Sequence, residues 1–171
     1  MTFEITPLTD ANLLLALNNA AVPDVGELST HKARWLTDHL VLPGLATLDG
    51  QTAGMVVVLS DTCGYDSDFY RWFTDRYQNF LYIDRIVVTA WARGRGVAKQ
   101  IYQSIEQAAR EQGRAIVSDV YSEPPNIPSL NLHRTLGFQE VGMQHFPDRQ
   151  KTASKFMKYV ECAKPKSPQT A

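Results

Sequence analysis

Short stretches of alternating apolar and polar residues, separated by stretches with a helical repeat, run along the first part of the chain. The stretch "FEITPL" alternates as a strand does, and "TDANLLLALNNA" follows with a helical repeat that Thr9 or Asp10 can cap. Ser29 or Thr30 can cap a second helix, "HKARWLTDHLVL", which we expect to stop at Pro43-Gly44. The predicted order of this part is therefore strand, helix, helix.

Hairpin and crossover patterns follow in the remainder of the chain. Asp49-Gly50 lies between two apolar runs, and this dipeptide in that setting predicts a β-hairpin. Beyond it the pattern predicts the strand "LYIDRIVVTA", a helix over 94–112, the strand "AIVSDVYS", a helix over 127–136 closed by Gly137, and the strands "FQEVGMQHF" and "ASKFMKYVE". The predicted order is βααβββαβαββ. Because hairpins are mixed with strand–helix–strand crossovers, we expect an α/β fold with one central mixed sheet.

One segment, residues 61–80, departs from this pattern because it is rich in aromatic side chains. Its aromatic residues are Tyr65, Phe69, Tyr70, Trp72, Phe73, Tyr77 and Phe80. Their spacing favours a short helix placed before the fourth strand.

Composition and charge limit the kind of protein. The chain has 171 residues, of which 44% are apolar and 20% charged, as in one folded domain. We assign residues 1–163 to a single domain and residues 164–171, which are polar and contain proline, to a flexible tail. The formal net charge of -1 provides no general attraction for nucleic acid or for an anionic membrane, so we expect neither as a partner.

The two cysteines and the chain's apolar stretches bear on location. Cys63 and Cys162 have no CxxC spacing and no neighbouring histidine cluster, so we expect idle thiols and no metal site. No stretch has the pattern of a signal peptide or the length of a membrane span. These features predict a reducing, cytoplasmic location.

The candidate binding chemistry lies in "RIVVTAWARGRGVAKQIYQ", where two glycines interrupt the passage from a strand to a helix. Glycine at a helix start costs about 1 kcal/mol relative to alanine, but it lets a phosphate approach bare backbone amides. The P-loop and Rossmann patterns both fail here, since the first needs Lys-Ser or Lys-Thr and the second a glycine at Lys99. Arg93, Gly96 and Ala98 instead form R-x-x-G-x-A, which resembles the pyrophosphate-binding motif of the GNAT acetyltransferases.

A second stretch, "PPNIPSLNLHRTLGF", carries the same resemblance. It is similar to the GNAT pattern N-x-x-(S/A)-x-x-L-(Y/H)-x-x-x-G-F at Asn126, Ser129, Leu132, His133, Gly137 and Phe138. The order of elements also resembles the GNAT fold over about residues 2–161. The resemblance implies a sheet that splays apart between its fourth and fifth strands. The aromatic segment further resembles a poorly characterised bacterial GNAT subgroup.

The resemblance implies acetyl-CoA as the cofactor and assigns residues to it. The backbone of the fourth strand would hold the pantetheine arm, the amides from Arg95 to Lys99 would bind the pyrophosphate, and Arg93 and Arg95 would add charge or serve only solubility. The cofactor-binding residues so implied are Ile86, Val87, Val88, Arg93, Gly94, Arg95, Gly96, Val97, Ala98, Lys99, Asn126, Ser129 and His133.

The candidate catalytic residues come from the fourth and fifth strands and from the helix over 127–136. His133 stands where most GNAT enzymes have a tyrosine that protonates the leaving thiolate, and Tyr121 is a substitute donor. Asp84 is the first candidate for the base, because its parity with Ile86 and Val88 directs it to the same sheet surface; an ion pair with Arg85 is the competing interpretation.

Asp119 and Glu123 are further candidates for the base, the first on the fifth strand and the second in the loop at its mouth. The aromatic segment either roofs the acceptor side as a lid or packs as a hydrophobic flap.

The expected function is acetyl transfer from the CoA thioester to a primary amine by direct attack in a ternary complex. The acceptor is a small-molecule amine or a protein amine. The alternative is a non-catalytic acyl-CoA-binding regulatory module, since the usual tyrosine is replaced and three carboxylates compete for the role of base. GNAT domains often dimerise, so the resemblance leaves a homodimer open.

Overall fold

Seven strands and five helices follow one another along residues 1–161, the part of the chain that the computed structural model describes. The strands are β1 (Phe3–Thr6), β2 (Leu45–Leu48), β3 (Gln51–Ser60), β4 (Phe80–Val88), β5 (Ala115–Glu123), β6 (Gln139–Phe146) and β7 (Lys151–Lys158). The helices are α1 (Ala11–Asn19), α2 (Thr30–His39), α3 (Asp68–Thr74), α4 (Val97–Gln112) and α5 (Ile127–Thr135). The predicted order βααβββαβαββ is confirmed except that α3, the short helix favoured by the aromatic segment, is inserted between β3 and β4. The predicted domain end at residue 163 and the predicted tail, 164–171, lie outside the described residues.

The local signals for caps and turns act as their chemistry requires. The Asp10 carboxylate accepts hydrogen bonds from the first amides of α1, and the Ser29 hydroxyl accepts one at the start of α2. Asp49 and Gly50 have φ angles of 51° and 78°, the left-handed pair that closes the hairpin between β2 and β3. The second helix ends at His39, before the predicted stop at Pro43-Gly44.

The sheet is mixed, with the strand order β1-β2-β3-β4-β5-β7-β6. Among the strands of residues 1–161, only β4 and β5 pair in parallel, and their pairing extends from Phe80 opposite Ala115 to Ile83 opposite Ser118. Beyond Ile83 neither strand pairs with the other, so the predicted splay between the fourth and fifth strands is present. Such an opening in the middle of a sheet leaves backbone groups free to bind an extended ligand.

A β-bulge at Asp84 marks the point where the splay begins. Against β3, Ile83 pairs with Val58 and Arg85 pairs with Val57, which leaves Asp84 as the extra residue. The bulge reverses the alternation of side chains along β4, so the expectation that Asp84 shares a sheet surface with Ile86 and Val88 is wrong.

The two faces of the sheet carry separate cores. Helices α4 and α5 cover one face, which includes Ile83, Ile86 and Val88 of β4. Helices α1, α2 and α3 cover the other, which includes Tyr82 and Val87. The carboxylate of Asp84 pairs with a guanidinium anchored beyond α1, on the second side. Helix α4 faces the sheet with one apolar stripe, formed by Val97, Ile101, Tyr102, Ile105 and Ala109.

Candidate active site

The divergence of β4 and β5 opens a cavity of about 510 Å³. Its walls come from the loop after α1 (residues 24–28), the start of the aromatic segment (65–69), both splayed strands and α5. Seven of the predicted site residues line it: Asp84, Ile86, Asp119, Tyr121, Asn126, Ser129 and His133. The four predicted catalytic residues are thus brought together from two strands and a helix.

The loop before α4 has two glycines in the left-handed region. Gly94 has a φ of 74° and Gly96 a φ of 81°, and α4 begins at Val97 rather than at Gly94 as predicted. A Cβ at either glycine would meet open space, so the backbone conformation, not crowding, requires glycine there. Among the hydrogen bonds of residues 1–161, none is donated by the amides of Gly94, Gly96, Val97, Ala98 and Lys99. Free amides at the positive end of a helix can bind a phosphate group.

The arginines of this loop fold back onto the protein surface. A guanidinium nitrogen of Arg93 lies 3.6 Å from a carboxylate oxygen of Asp24, which belongs to the cavity wall. The Nε atom of Arg95 donates to the carbonyl of Trp91 at 3.0 Å, and its guanidinium lies over the indole ring. Both side chains are mostly exposed, so their role toward a pyrophosphate stays a prediction.

The outer half of β4 supplies a free backbone edge. Ile86, Val87 and Val88 pair with β3 on one side and have no partner on β5. The side chain of Ile86 lines the cavity, whereas that of Val87 is buried on the opposite face of the sheet. At the far side of the gap, Asn126 caps α5 by accepting a hydrogen bond from the amide of Ser129.

His133 is buried, and its ring nitrogens have distinct partners. Nδ1 lies 2.8 Å from the carbonyl oxygen of Ser129, which can only accept, so Nδ1 carries the proton. Burial lowers the pKa of His133, and the neutral ring leaves Nε2 as an acceptor. Nε2 lies 3.0 Å from the hydroxyl of Tyr102 and 3.2 Å from that of Ser118. A neutral His133 therefore directs no proton of its own at the cavity.

Tyr102 and Ser118 were not among the predicted residues, although both line the cavity. Ser118 is the last β5 residue paired with β4. The only sequence signal for Tyr102 is its position beside Ile101 on the apolar stripe of α4. An ordinary core residue is equally typical of that position.

Asp84 forms the ion pair that the competing interpretation expected. Its Oδ2 atom accepts a hydrogen bond from Nε of Arg85 at 2.6 Å, and the two side chains are only 6% and 12% exposed. Arg85 also donates to the side chain of Asn18 and to the carbonyl of Gly26. The pair thus ties the bulge of β4 to α1 and the loop after it. This geometry favours a structural role for Asp84, and its role as a base stays a prediction.

Asp119 has a different environment. Its Oδ2 atom accepts a hydrogen bond from the Tyr82 hydroxyl at 3.0 Å and lies 3.9 Å from Nζ of Lys155. Burial raises the pKa of Asp119 to about 6, against the opposing effect of the Lys155 ammonium. Burial also lowers the pKa of Lys155 to about 8. Lys155 was missed because a lysine in "ASKFMKYVE" is typical of a solvated strand face.

Of two other predicted residues, Tyr121 lines the cavity and Glu123 does not. The ring of Tyr121 lines the cavity and packs edge-to-face on Phe69. Glu123 lies outside the cavity lining and accepts a hydrogen bond from the hydroxyl of Thr152. Glu123 is therefore poorly placed to take a proton from a substrate in the cavity.

The aromatic segment contributes both to the cavity wall and to the core. Tyr65 and Phe69 line the cavity, whereas Phe73 is fully buried between α3 and the sheet. Trp72 packs so closely on Gly142 of β6 that a Cβ there would lie 2.6 Å from the indole. The first part of the segment is thus available to contact an acceptor, and the second part packs.

Comparison with known families decides what this site belongs to. A family model described as the acetyltransferase (GNAT) family matches residues 14–138, a span that contains both motifs down to Phe138. The chain belongs to the GNAT acetyltransferase family. No curated protein matches it in sequence.

Solved GNAT structures share its fold at low sequence identity. NAA60 of Arabidopsis thaliana in complex with acetyl-CoA is 16% identical, with a TM-score of 0.67 over 93% of this chain and 99% of that one. The ribosomal-protein-S18-alanine N-acetyltransferase of Escherichia coli is 13% identical, with a TM-score of 0.68 over 97% of each chain. The yncA protein of Salmonella typhimurium, solved with acetyl-CoA, is 15% identical, with a TM-score of 0.65 over 99% of this chain and 98% of that one.

Membership of the GNAT family makes the chain an acetyltransferase with acetyl-CoA as its acyl donor. The alternative of a non-catalytic module is therefore not favoured. The free amides around Gly94 and Gly96 and the unpaired edge of β4 fit such a donor. The bacterial subgroup, the cytoplasmic location and a homodimer stay predictions.

The part of the chain that the structure describes, residues 1–161, contains neither a membrane-spanning helix nor a metal-binding cluster of side chains. None of the helices there combines the length and the apolar character that crossing a lipid bilayer requires. Over the same residues, no group of three or more His, Cys, Asp or Glu side chains is arranged to hold a metal ion.

Proposed function

We propose that this GNAT enzyme acetylates a primary amine by direct attack of the amine in a ternary complex. The observation that carries the proposal is that one cavity, at the gap between β4 and β5, holds a carboxylate with a raised pKa and a pair of hydroxyls on a buried histidine. Acetyl-CoA, when bound, supplies an acetyl group activated as a thioester. The residues that would hold it are the β4 edge at Ile86–Val88, the loop amides at 94–99 and the start of α5.

Asp119 is the base in this proposal. An ammonium with a pKa of about 10.4 loses its proton at neutral pH at a cost of roughly 4 to 5 kcal/mol, so the acceptor needs a proton acceptor nearby. Asp119 lines the cavity, and no hydrogen bond among the described residues uses its Oδ1 atom. A pKa of about 6 leaves it ionised at neutral pH, yet basic enough to take a proton. Asp84 ranks second because its Oδ2 atom already binds Arg85.

Tyr102 is the proton donor for the departing sulfur. His133 Nε2 has one lone pair and two hydroxyl neighbours, so when Ser118 donates to it, the Tyr102 hydroxyl is free to turn its proton toward the cavity. Burial raises the pKa of Tyr102, which keeps the hydroxyl protonated. His133 then acts by holding the two hydroxyls rather than by giving up its own proton.

The acceptor class follows from the charge of the cavity wall. Carboxylates outnumber cationic side chains there, which suits an amine that arrives as a cation. The carboxylates are Asp24, Glu27, Asp66, Asp68, Asp84 and Asp119, and the cations are Lys32, Arg71, Arg85 and Arg149. The acceptor is thus a small-molecule or protein amine.

The test is release of free thiol from acetyl-CoA in the presence of a panel of primary amines, with mass spectrometry of the products. We expect at least one amine to accelerate release and to gain one acetyl group. Asp119→Asn should lower kcat by about 100-fold and leave the Kd for acetyl-CoA within a few-fold. The exposed Asp75→Asn is the matched control and should behave as wild type.

Two outcomes would contradict the proposal. Binding of acetyl-CoA without turnover of any amine would favour the non-catalytic module. A folded Asp84→Asn variant without activity, beside an active Asp119→Asn variant, would transfer the role of base to Asp84.

A further inference from the structure

Lys155 is a fully buried lysine, with an exposed fraction of 0%. Its ammonium lies near three aromatic rings of the segment around α3, at 4.9 Å from the centroid of Phe69, 5.3 Å from Phe73 and 5.6 Å from Trp72. It donates a long hydrogen bond of 3.4 Å to the carbonyl of Phe69. Among the described residues, the only carboxylate within ion-pair distance is Asp119, at 3.9 Å.

This environment does not explain the lysine as a stabilising residue. Burying an ammonium removes its hydration, and aromatic faces with one long hydrogen bond replace only part of it. An apolar residue of similar length would fill the same space among the rings without that loss. A role beyond packing therefore accounts better for a charged group at this position.

The position of Lys155 in the sheet points to that role. It lies directly opposite Asp119 in the antiparallel pairing of β5 with β7. Asp119 lines the cavity, whereas Lys155 is absent from its lining. Tyr82 donates to Oδ2, the same carboxylate oxygen that Lys155 approaches. Tyr82 therefore holds this oxygen from the cavity wall and Lys155 holds it from inside the protein, while no hydrogen bond among the described residues uses Oδ1.

The groups packed around Asp119 indicate that Lys155 is needed to keep this carboxylate ionised. From β4, Asp84 disfavours its ionisation and Tyr82 favours it; from β7, Lys155 favours it. Arg76, which follows α3, acts on Lys155 and disfavours its protonation. Burial disfavours the carboxylate form as well. Without Lys155, only the Tyr82 hydroxyl would oppose burial and Asp84.

We propose that Lys155 is a positioning residue that keeps Asp119 ionised and oriented toward the cavity. This rests on the function proposed above, in which Asp119 is the base. Lys155 touches neither acceptor nor donor in this scheme and acts only through Asp119.

The test is the pH dependence of kcat/KM for Lys155→Met, with Lys151→Met as a matched control on the same strand. The acidic limb of the profile, which reports ionisation of Asp119, should move to higher pH by one to two units. Activity at pH 7 should then fall by about 2-fold for a shift of one unit and about 10-fold for a shift of two, and recover near pH 9, because the ionised fraction follows the difference between pH and pKa. A merely structural role would lower activity at every pH.

A second readout does not depend on turnover. The titration of the Asp119 carboxyl carbon by ¹³C NMR should shift upward in Lys155→Met and stay unchanged in Lys151→Met. Lys155→Gln, a second neutral variant, should give the same shift. If neither Lys155 variant folds, or if both keep the wild-type titration, the proposal is overturned.

The two proposals fail separately. If Asp119→Asn is inactive while Lys155→Met keeps the wild-type profile and titration, Lys155 is not a positioning residue but Asp119 remains the base. If Asp119→Asn keeps full activity, the base is elsewhere. An upward titration shift in Lys155→Met would then still establish the effect of Lys155 on the carboxylate.

Discussion

The hydroxyls of Tyr102 and Ser118 compete for a single acceptor, Nε2 of His133. Since burial lowers the pKa of His133, protonation of the ring does not disturb this arrangement near neutral pH. In the proposed mechanism the histidine therefore substitutes only indirectly for the tyrosine that the GNAT resemblance implies at this position, by holding a tyrosine from α4. The phenol ring of Tyr102 also packs edge-to-face on His133 and Phe138, which fixes its position.

Tyr102→Phe should lower kcat by about 10- to 100-fold while the Kd for acetyl-CoA changes little, because the ring keeps its packing and only the hydroxyl is lost. Ser118→Ala should lower kcat less than Tyr102→Phe does, because the Tyr102 hydroxyl is still present. Without the serine, however, that hydroxyl donates to Nε2 of His133 for more of the time. Steady-state kinetics with thermal denaturation of each variant makes the measurement. Tyr77→Phe, outside the cavity lining, is the control. An unchanged kcat in Tyr102→Phe would return the role of donor to Tyr121 or His133.

Single residues show where prediction from sequence reached its limit. Asp84 was identified because carboxylates in apolar strands are rare, and Asp119 because the GNAT resemblance implies an acid on the fifth strand; both line the cavity. The facing of Asp84 was predicted wrongly because strand parity assumes an unbroken ladder, and a bulge leaves no mark in the hydrophobic pattern. Lys155 and Tyr102 escaped notice because their roles depend on partners 36 and 31 residues away in sequence.

The loop between β4 and α4 shows how the boundary of a helix can leave backbone amides free for a ligand. Gly94 and Gly96 adopt positive φ angles that end any helical continuation, so α4 starts three residues later than periodicity predicted. The later start is what exposes the amides of the first turn. Periodicity located the helix correctly, but only the R-x-x-G-x-A motif indicated why its start should be irregular.

Gly96→Ala should weaken acetyl-CoA binding by at least about 10-fold, because alanine at a φ of 81° strains the loop by roughly 1 to 2 kcal/mol and shifts its amides. Gly113→Ala is a matched control, since Gly113 ends the same helix with a φ of 64° and lies outside the loop. Both variants should lose similar free energy of unfolding in urea. Only Gly96→Ala should change the Kd measured by calorimetry. Equal Kd values for the two variants would contradict a phosphate-binding role of the loop.

The whole molecule places a buried ion pair, Asp119 with Lys155, where β5 and β7 meet the aromatic segment. Folded Asp119 keeps its proton up to about pH 6, whereas in the unfolded chain it is released near pH 3.8. The contribution of Asp119 to the free energy of unfolding therefore falls as the pH rises from 4 through 6. Folded Lys155 releases its proton near pH 8, against 10.5 when unfolded, so the contribution of Lys155 rises from pH 8 to 10.5.

The pair is thus least favourable to folding near neutral pH, where the proposed mechanism requires an ionised Asp119. Replacing both residues, as Lys155→Met with Asp119→Asn, should remove this minimum, because neither replacement titrates. At each pH, the free energy of unfolding of the double variant is compared with that of wild type. This difference should be roughly 3 kcal/mol more favourable to the double variant at pH 7 than at pH 4 or pH 10. Urea unfolding of both proteins at the three pH values measures it, and titrations common to both cancel. A difference that does not vary with pH would show that the buried charges do not set the stability of this enzyme.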